Sequence, residues 1–345
     1  MRDLGRRRFL RAFLGTAATG AGLGMGLPFS GGLSPRRLRA EEAGSRFVTR
    51  RAEFAALGMG VSIEAAHAVP ELADQAIAAA KAEIERVDAV LSLYRPDSHL
   101  ARLNERGVVE RPDPYLVDVL KLAAQVSRQS DGAFDATVQP LWELYSQSRK
   151  SGGLPSDQAI VAARSRVDWR QVVFDSREVR LQSRGMAVTL NGIAQGFAAD
   201  RAAAAMRRHG IEHALVDAGE VAAVGGKTDG ESWVAGIQHP RREDAYAELA
   251  RLSDRCLSTS GDYATRFSDD FRANHLFDPR TGRSPEHFAS VSVLAPSAAL
   301  ADALSTAVFV LGPDRGMTLL RAHRNVDALL ILKDQRVMRT PGFPA

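Results

Sequence analysis

Residues 298–311 read AALADALSTAVFVL, and this run organises the interpretation of the whole chain. Ala, Leu and Val fill it and Gly312-Pro313 follows, which is the pattern of a buried helix with its stop signal. Asp302 and Thr306 are four residues apart and therefore share one helix face. A carboxylate and a hydroxyl on that face are hard oxygen ligands that one Mg²⁺ ion could bridge. The alternative is structural: Thr306 bonds back to a carbonyl one turn earlier and Asp302 points to water.

The composition is that of an ordinary globular chain, with 345 residues of which 45% are hydrophobic and 25% charged. Residues 1–40 contain eight Arg and one Asp, a net charge of +7. Because the formal net charge of the whole chain is +4, residues 41–345 carry a net charge of −3. This distribution, without a basic stripe interleaved with aromatics, argues against nucleic-acid binding. The single cysteine, Cys256, excludes an intramolecular disulfide and multi-cysteine metal sites.

The first forty residues have the features of an export signal. Arg6-Arg7-Arg8-Phe9-Leu10-Arg11 is a twin-arginine pattern, and a weakly apolar Gly- and Ala-rich stretch follows to Phe29. We therefore predict a signal peptide over 1–40 and a mature periplasmic domain over 41–345, with membrane association left open. The alternative is a retained membrane anchor, but the stretch is poor in Leu, Ile and Val, which favours cleavage.

The periodicity of apolar residues predicts an α+β fold. Helical spacing covers residues 70–91 and 115–128 in addition to 298–311, and an Ala-rich helix is predicted from just after Phe197 to Arg208. Short strand-like runs dominate the second half of the chain, and further strands are predicted over 54–66, interrupted by two glycines, and over 188–190. Because strands cluster instead of alternating strictly with helices, we predict mostly antiparallel sheets packed with helices.

Polar or glycine-rich clusters recur at the predicted strand ends. In chain order they are Gly58-Met59-Gly60, Ser92-Leu93-Tyr94, Gly132–Asp135, Asn191–Gly196, Ser258–Tyr263 and His275–Gly282. Each has a structural explanation when taken alone: residues 278–282 can be a turn, and Asn191-Gly192 can be a helix cap. Glycine-rich backbone before a helix can also bind phosphate through free N–H groups.

In this order and combination, the clusters resemble the FAD:protein FMN transferases, the ApbE-like proteins. The resemblance runs from Phe54 to Leu332, and its most specific blocks are HLFDPRTG (275–282), DALSTA (302–307), GIAQG (192–196) and TSGDY (259–263). It implies a single α+β domain that binds FAD and Mg²⁺. It also implies transfer of FMN onto a Thr or Ser hydroxyl of a partner flavoprotein, with release of AMP.

The resemblance assigns roles to twelve positions. Asp302, Thr306 and the backbone carbonyl of Gly192 would hold the metal, and His275 would assist the transfer. The positions that it implies in FAD binding are Leu57, Tyr94, Ala133, Phe134, Asp135, Thr189, Gln195 and Leu276. Physically, Mg²⁺ would neutralise the diphosphate while an imidazole accepts the proton of the incoming hydroxyl.

The chain departs from the family pattern at a few of these positions. Thr189 and Gln195 stand where the family commonly has Asp and Lys, and Leu57 stands where it has Met. Because Gln195 supplies no positive charge, we expect weaker FAD binding. Asp217-Ala218-Gly219-Glu220 carries one glycine and a carboxylate in place of a Gly-Gly pair.

Two other functions remain open at this stage. With water in place of the acceptor hydroxyl, the protein would be an FAD pyrophosphatase that yields free FMN and AMP. Because Gln195 lacks the positive charge of Lys, a second alternative is a non-catalytic periplasmic FAD-binding protein. For a transferase, the export signal favours a membrane-associated redox flavoprotein as the acceptor.

Overall fold

A computed structural model describes residues 10–12 and 47–344. Its strands are β1 (Leu10–Ala12), β2 (Val48–Ala56), β3 (Met59–His67), β4 (Val108–Glu110), β5 (Val172–Phe174), β6 (Glu178–Leu181), β7 (His213–Asp217), β8 (Val221–Val224), β9 (Trp233–Gln238), β10 (Tyr246–Leu252), β11 (Cys256–Gly261), β12 (Phe288–Ala295), β13 (Asp327–Leu332) and β14 (Val337–Arg339). Its α-helices are α1 (Pro70–Leu91), α2 (His99–Arg106), α3 (Pro114–Gln129), α4 (Gln139–Lys150), α5 (Asp157–Arg164), α6 (Ala194–Arg208), α7 (Ala298–Leu311) and α8 (Pro313–Arg321). The predicted signal peptide lies outside the described residues except for β1.

The strands form three sheets. The largest has the order β14-β13-β12-β11-β8-β7-β3-β2, and two three-stranded sheets have the orders β1-β9-β10 and β4-β6-β5. Every pairing between these strands is antiparallel. The prediction of a single α+β domain with antiparallel sheets is therefore confirmed. In the described part of the chain, no helix has the length and apolar character needed to cross a membrane.

Alternation along the strands divides the main sheet into two buried faces. In β7, Ala214 and Val216 join the large core that contains α1, α6 and α7, whereas Leu215 between them joins a second core. That second core also contains Trp233 and Ile237 of β9, so the β9–β10 sheet covers the face opposite the helices. Since the sheet is covered on both faces, its central strands are almost wholly buried.

Helix α7 is fixed to α6 by two contacts at its N-terminus. Asp200 on α6 accepts hydrogen bonds from the Ser297 hydroxyl (2.7 Å) and from the N–H groups of Ala298 (2.7 Å) and Ala299 (2.9 Å). A carboxylate at this position caps the helix and favours its dipole. Gly196 allows the close approach, because a Cβ there would lie 2.2 Å from the carbonyl oxygen of Ala298. The position of Asp302 relative to the start of α6 is set by this junction.

Two predicted strands differ from the structure. The strand predicted over 54–66 is a hairpin of β2 and β3, turning at Leu57 (φ 54°) and Gly58 (φ 75°). Residues 188–190 form no strand, because the Asn104 side chain satisfies the backbone of Val188. Its Oδ1 accepts from the Val188 N–H at 2.7 Å, and its Nδ2 donates to the Val188 carbonyl at 2.8 Å. A side chain therefore replaces the neighbouring strand that the periodicity predicted.

Strand β11 was not predicted as a strand, because its sequence is rich in hydroxyl groups. All six of its residues are buried nevertheless. The Thr259 hydroxyl lies 2.8 Å from that of Ser292, and the Ser260 hydroxyl lies 2.8 Å from that of Ser305. These hydroxyls hydrogen-bond to one another, which makes their burial possible.

Replacing Gly196 by Ala should lower the free energy of unfolding by about 3 kcal/mol, because the added methyl overpacks the α6–α7 contact. Chemical denaturation measures this change. Gly153→Ala is the control, since a Cβ at Gly153 meets nothing within 4 Å. Equal stability of the two variants would contradict the close contact.

Candidate functional site

A cleft of about 880 Å³, counting its solvent-open part, lies where α6, α7 and the end of β11 meet. Ten of the twelve positions predicted from the sequence line it: Ala133, Phe134, Asp135, Thr189, Gly192, Gln195, His275, Leu276, Asp302 and Thr306. Leu57, in the β2–β3 turn, and Tyr94, 62% exposed after α1, are not among the lining residues. Their FAD contacts stay predictions.

Nine further residues complete the lining: Ala136, Val138, Trp142, Asn191, Glu220, Thr259, Ser260, Gly261 and Phe277. Most of them lie inside or beside the sequence clusters described above, and Glu220 is one of the departures from the family pattern. Val138 and Trp142 lie outside the clusters. Trp142 is on α4, where an aromatic at helical spacing gives no signal that distinguishes a cleft from a core.

The helix pair that opened the sequence analysis faces this cleft. Asp302 is 4% exposed, and its Oδ2 accepts a hydrogen bond from the Gly196 N–H at 3.1 Å. The Thr306 hydroxyl lies 3.1 Å from that of Ser260. The bond back to the preceding turn is made instead by Ser305, whose hydroxyl donates to the Asp302 carbonyl at 2.9 Å. The alternative in which Asp302 points to water is therefore wrong.

Gly192 lies directly against this pair. A Cβ at Gly192 would be 3.0 Å from the Thr306 hydroxyl oxygen and 3.5 Å from the Phe134 ring, so only glycine fits without displacement. The backbone of Gly192, the Thr306 hydroxyl and the Asp302 carboxylate are a set of hard oxygen donors, which fits Mg²⁺. Across residues 10–12 and 47–344, no group of three or more His, Cys, Asp or Glu could hold a metal. An ion here would therefore need substrate or water oxygens to complete its shell.

The glycine-rich start of α6 does not provide a set of open N–H groups for phosphate. The N–H groups of Ile193 and Ala194 bond to the Leu190 carbonyl at 3.0 and 2.7 Å. The N–H of Gly196 bonds to Asp302, as described above, and that of Phe197 bonds to the Ile193 carbonyl at 2.9 Å. Any anion in the cleft must therefore be held mainly by other means.

The cleft is acidic. Glu220 is 5% exposed and its Oε2 accepts a hydrogen bond from the Thr259 N–H at 3.2 Å. Burial, and next the negative charge of Asp302, raise the pKa of Glu220 well above its usual value. Among the described residues that line the cleft, none is Lys or Arg. The amide nitrogen of Gln195 lies 3.7 Å from the Met59 sulfur.

Asp135 has a positioning role in the wall of the cleft. Its Oδ1 accepts hydrogen bonds from the N–H (2.7 Å) and the hydroxyl (2.6 Å) of Thr137, and its Oδ2 accepts one from the Trp169 N–H (3.1 Å). Burial outweighs these bonds and raises the pKa of Asp135 to about 6. The carboxylate ties the segment that carries Ala133 and Phe134 to the rest of the domain.

His275 presents a defined tautomer to the cleft. Its Nδ1 lies 3.2 Å from the carbonyl oxygen of Thr265. Because a carbonyl only accepts, Nδ1 carries the proton and Nε2 is the basic nitrogen of the neutral ring. Such a ring can accept a proton from a hydroxyl group.

The rest of the 275–282 block forms a turn that is held in place by hydrogen bonds and by packing against α4 and α5. Asp278 accepts hydrogen bonds from the backbone N–H (2.9 Å) and the Nε (2.8 Å) of Arg280. Gly282, at φ +71°, packs so closely that a Cβ would lie 2.7 Å from Ile160, and its carbonyl accepts from the Tyr145 hydroxyl at 3.3 Å. The turn anticipated for residues 278–282 is present and anchors the His275 segment to α4 and α5.

Comparison with known proteins identifies the family. The profile of the ApbE family matches residues 57–330, and the chain belongs to this family. Relatives named FAD:protein FMN transferase occur in Klebsiella pneumoniae, 32% identical over 75% of this chain and 77% of that protein, and in Treponema pallidum, 34% identical over 75% and 78%.

Solved structures agree with this assignment. The flavin transferase ApbE from Vibrio cholerae superposes with a TM-score of 0.73 at 26% identity, over 85% of this chain and 97% of that one. The ApbE protein from Thermotoga maritima gives a TM-score of 0.76 at 28% identity, over the same shares of the two chains.

A further acidic residue, Asp217, lies at the end of β7 and close enough to Glu220 to raise the pKa of that group. Its Oδ1 accepts a hydrogen bond from the Gly219 N–H at 3.1 Å, and burial raises its own pKa from 3.8 to about 7. Between those two pH values, the folded chain keeps a proton that the unfolded chain has lost. Rising pH through this window therefore destabilises the fold.

Replacing Asp217 by Asn keeps the acceptor for Gly219 and removes this titration. The free energy of unfolding of the variant, minus that of the wild type, should be about 2 kcal/mol higher at pH 8 than at pH 5. Denaturation at the two pH values, with EDTA and without FAD, measures the difference. A gain that is the same at both pH values would contradict the raised pKa.

Proposed function

We propose that this ApbE-family enzyme is an FAD:protein FMN transferase. In this proposal it requires Mg²⁺, transfers FMN to a Thr or Ser hydroxyl of a partner flavoprotein and releases AMP. The observation that carries the proposal is that one cleft brings together His275 and the oxygen set of Gly192, Asp302 and Thr306. The names of the relatives support the choice of FAD as the substrate.

The electrostatics of the cleft support a need for a cation. The diphosphate of FAD is anionic, whereas the cleft contains Asp302 and Glu220 and is lined by no Lys or Arg among its described residues. Placing phosphate beside these carboxylates is unfavourable unless positive charge intervenes. Asp302, Thr306 and the Gly192 carbonyl would hold Mg²⁺ there. When bound, Mg²⁺ would offset the diphosphate charge and the charge that develops during transfer.

The residues of the chain supply the remaining parts of the reaction. Phe134 and Leu276, 4% and 7% exposed, give the cleft an apolar wall suited to a flat ring. Nε2 of His275 accepts the proton as the acceptor oxygen attacks the phosphorus on the FMN side of FAD. The new bond joins that oxygen to phosphorus, the bond to the bridging oxygen breaks, and AMP leaves with the bridging oxygen.

The proposal extends to the location and the partner. The twin-arginine pattern at Arg6-Arg7-Arg8 supports export to the periplasm, with residues 41–345 as the mature domain. A membrane-associated redox protein with an exported flavin domain is the acceptor that this location favours.

The function is tested by mass spectrometry after the 41–345 domain is incubated with FAD, Mg²⁺ and a Thr-containing acceptor domain. We expect the acceptor to gain the mass of an FMN phosphoester, with one AMP released for each, and an acceptor with Ala for Thr to gain nothing. AMP with free FMN and no gain would make the protein a pyrophosphatase. Unchanged FAD would contradict an enzymatic role with this acceptor.

Replacing Asp302 by Asn should reduce FMN transfer to below about 1% of the wild-type rate, because the cation site loses the carboxylate that opposes its charge. EDTA should have the same effect on the wild type, with recovery on addition of Mg²⁺. Wild-type transfer by Asp302→Asn in the same Mg²⁺ would contradict the assignment of this site.

Replacing His275 by Asn should lower kcat by about 10²–10⁴-fold, the usual contribution of a general base, and leave FAD affinity within about threefold. FAD fluorescence titration and single-turnover transfer separate the two quantities. His323→Asn, outside the cleft lining, is the control and should keep the wild-type rate. Loss of FAD binding without loss of kcat would show that His275 binds the substrate and does not assist the chemistry.

A further inference from the structure

Glu220 is a buried carboxylate of the cleft that the proposed reaction leaves without a role. It follows the turn between β7 and β8, where Gly219 has φ +88° and the Ala218 N–H donates to the Glu220 carbonyl at 3.1 Å. This turn places the Glu220 side chain in the cleft wall rather than at the protein surface.

The surroundings of Glu220 connect it to the proposed cation site. Its Oε2 accepts a hydrogen bond from the Thr259 N–H. The hydroxyl of the next residue, Ser260, lies 3.1 Å from the hydroxyl of Thr306. The negative charge of Asp302 acts on Glu220 more strongly than any other charge does. Glu220 in the β7–β8 turn and Asp302 on α7 therefore line the same cleft from different elements.

The hydrogen bonds of Glu220 do not explain its charge. The Thr259 N–H, which donates to Oε2 at 3.2 Å, is neutral, and so is the nearby Ser258 hydroxyl, which donates to the Ala298 carbonyl at 3.4 Å. A neutral Gln could accept the same bond without repulsion from Asp302. Two carboxylates close together in a buried cleft are unfavourable unless a proton or a cation lies between them. A divalent cation with hard oxygen ligands satisfies both carboxylates at once.

We propose that Glu220 supplies a second carboxylate to the divalent-cation site of Asp302, Thr306 and Gly192. This inference rests on the cation site of the proposed function and deepens it. With two carboxylates the site has a formal charge of −2, which matches one divalent cation before any phosphate arrives. The protein therefore binds Mg²⁺ in the absence of FAD, before the diphosphate arrives.

The test is Mg²⁺ binding to the FAD-free 41–345 domain, measured by calorimetry and by thermal melting in EDTA and in Mg²⁺. Glu220→Gln, which keeps the acceptor for Thr259, should weaken Mg²⁺ binding at least about tenfold, because cation affinity follows the number of ligand charges. In EDTA it should melt above the wild type, since repulsion from Asp302 is gone. Its Mg²⁺-induced rise in melting temperature should shrink.

Two further variants isolate the charge at this position. Glu220→Asp keeps the charge on a shorter side chain and should retain more Mg²⁺ affinity than Glu220→Gln. Asp217→Asn removes a nearby carboxylate that does not line the cleft, and it should therefore change Mg²⁺ affinity less than about threefold. Equal losses of Mg²⁺ affinity in all three variants would mean that Glu220 acts only through its long-range charge and not as a ligand, which would overturn the proposal.

The outcomes distinguish this inference from the proposed function. If Glu220→Gln keeps wild-type Mg²⁺ affinity and melts at or below the wild type in EDTA, Glu220 only holds Thr259 and the inference is overturned. If Asp302→Asn loses Mg²⁺ binding in that same experiment, the proposed function stands. If the wild type binds no Mg²⁺ even with FAD present, the cation site itself fails and both proposals fail with it.

Discussion

The junction between α6 and α7 is the contact on which the rest of the site depends. Asp200 caps the first turn of α7, and Gly196 lets the two backbones approach to a distance that no side chain would allow. Gly196 also donates its N–H to Asp302, so the residue that permits the packing orients the carboxylate. One junction thus sets the helix pair and the position of the carboxylate in the cleft.

The cleft that results has an unusual charge for a site that would receive a diphosphate. Asp302 and Glu220 face it, no Lys or Arg is among its described lining residues, and the first N–H groups of α6 mostly have partners inside the protein. Gln195 adds a hydrogen-bonding group but no charge. An anionic substrate can be accommodated only if a cation supplies the missing positive charge. The proposed Mg²⁺ requirement follows from this balance, and so does the proposed role of Glu220.

Sequence reasoning recovered most of the fold because α1, α6 and α7 have clear helical periodicity and definite ends. It missed β11, whose hydroxyl-rich residues are buried by bonding to one another across elements, and it misassigned residues 188–190, where Asn104 replaces a strand. Both depend on contacts between residues distant in the chain, which periodicity does not contain. Ten proposed site positions gathered in one cleft because short motifs fix local geometry. Glu220 lines the cleft because the tertiary fold brings the β7–β8 turn next to α7, which no short motif indicates.

In the proposed mechanism, a divalent cation at Asp302 compensates the negative charge of both the acidic cleft and the anionic substrate. The most direct measurement is a crystal structure of the 41–345 domain with FAD and Mn²⁺, with anomalous scattering used to locate the metal. The account predicts an anomalous peak at about 2.0–2.3 Å from oxygens of Asp302, Thr306 and Gly192 and of the diphosphate. FAD bound in the cleft with no peak beside Asp302 would contradict it.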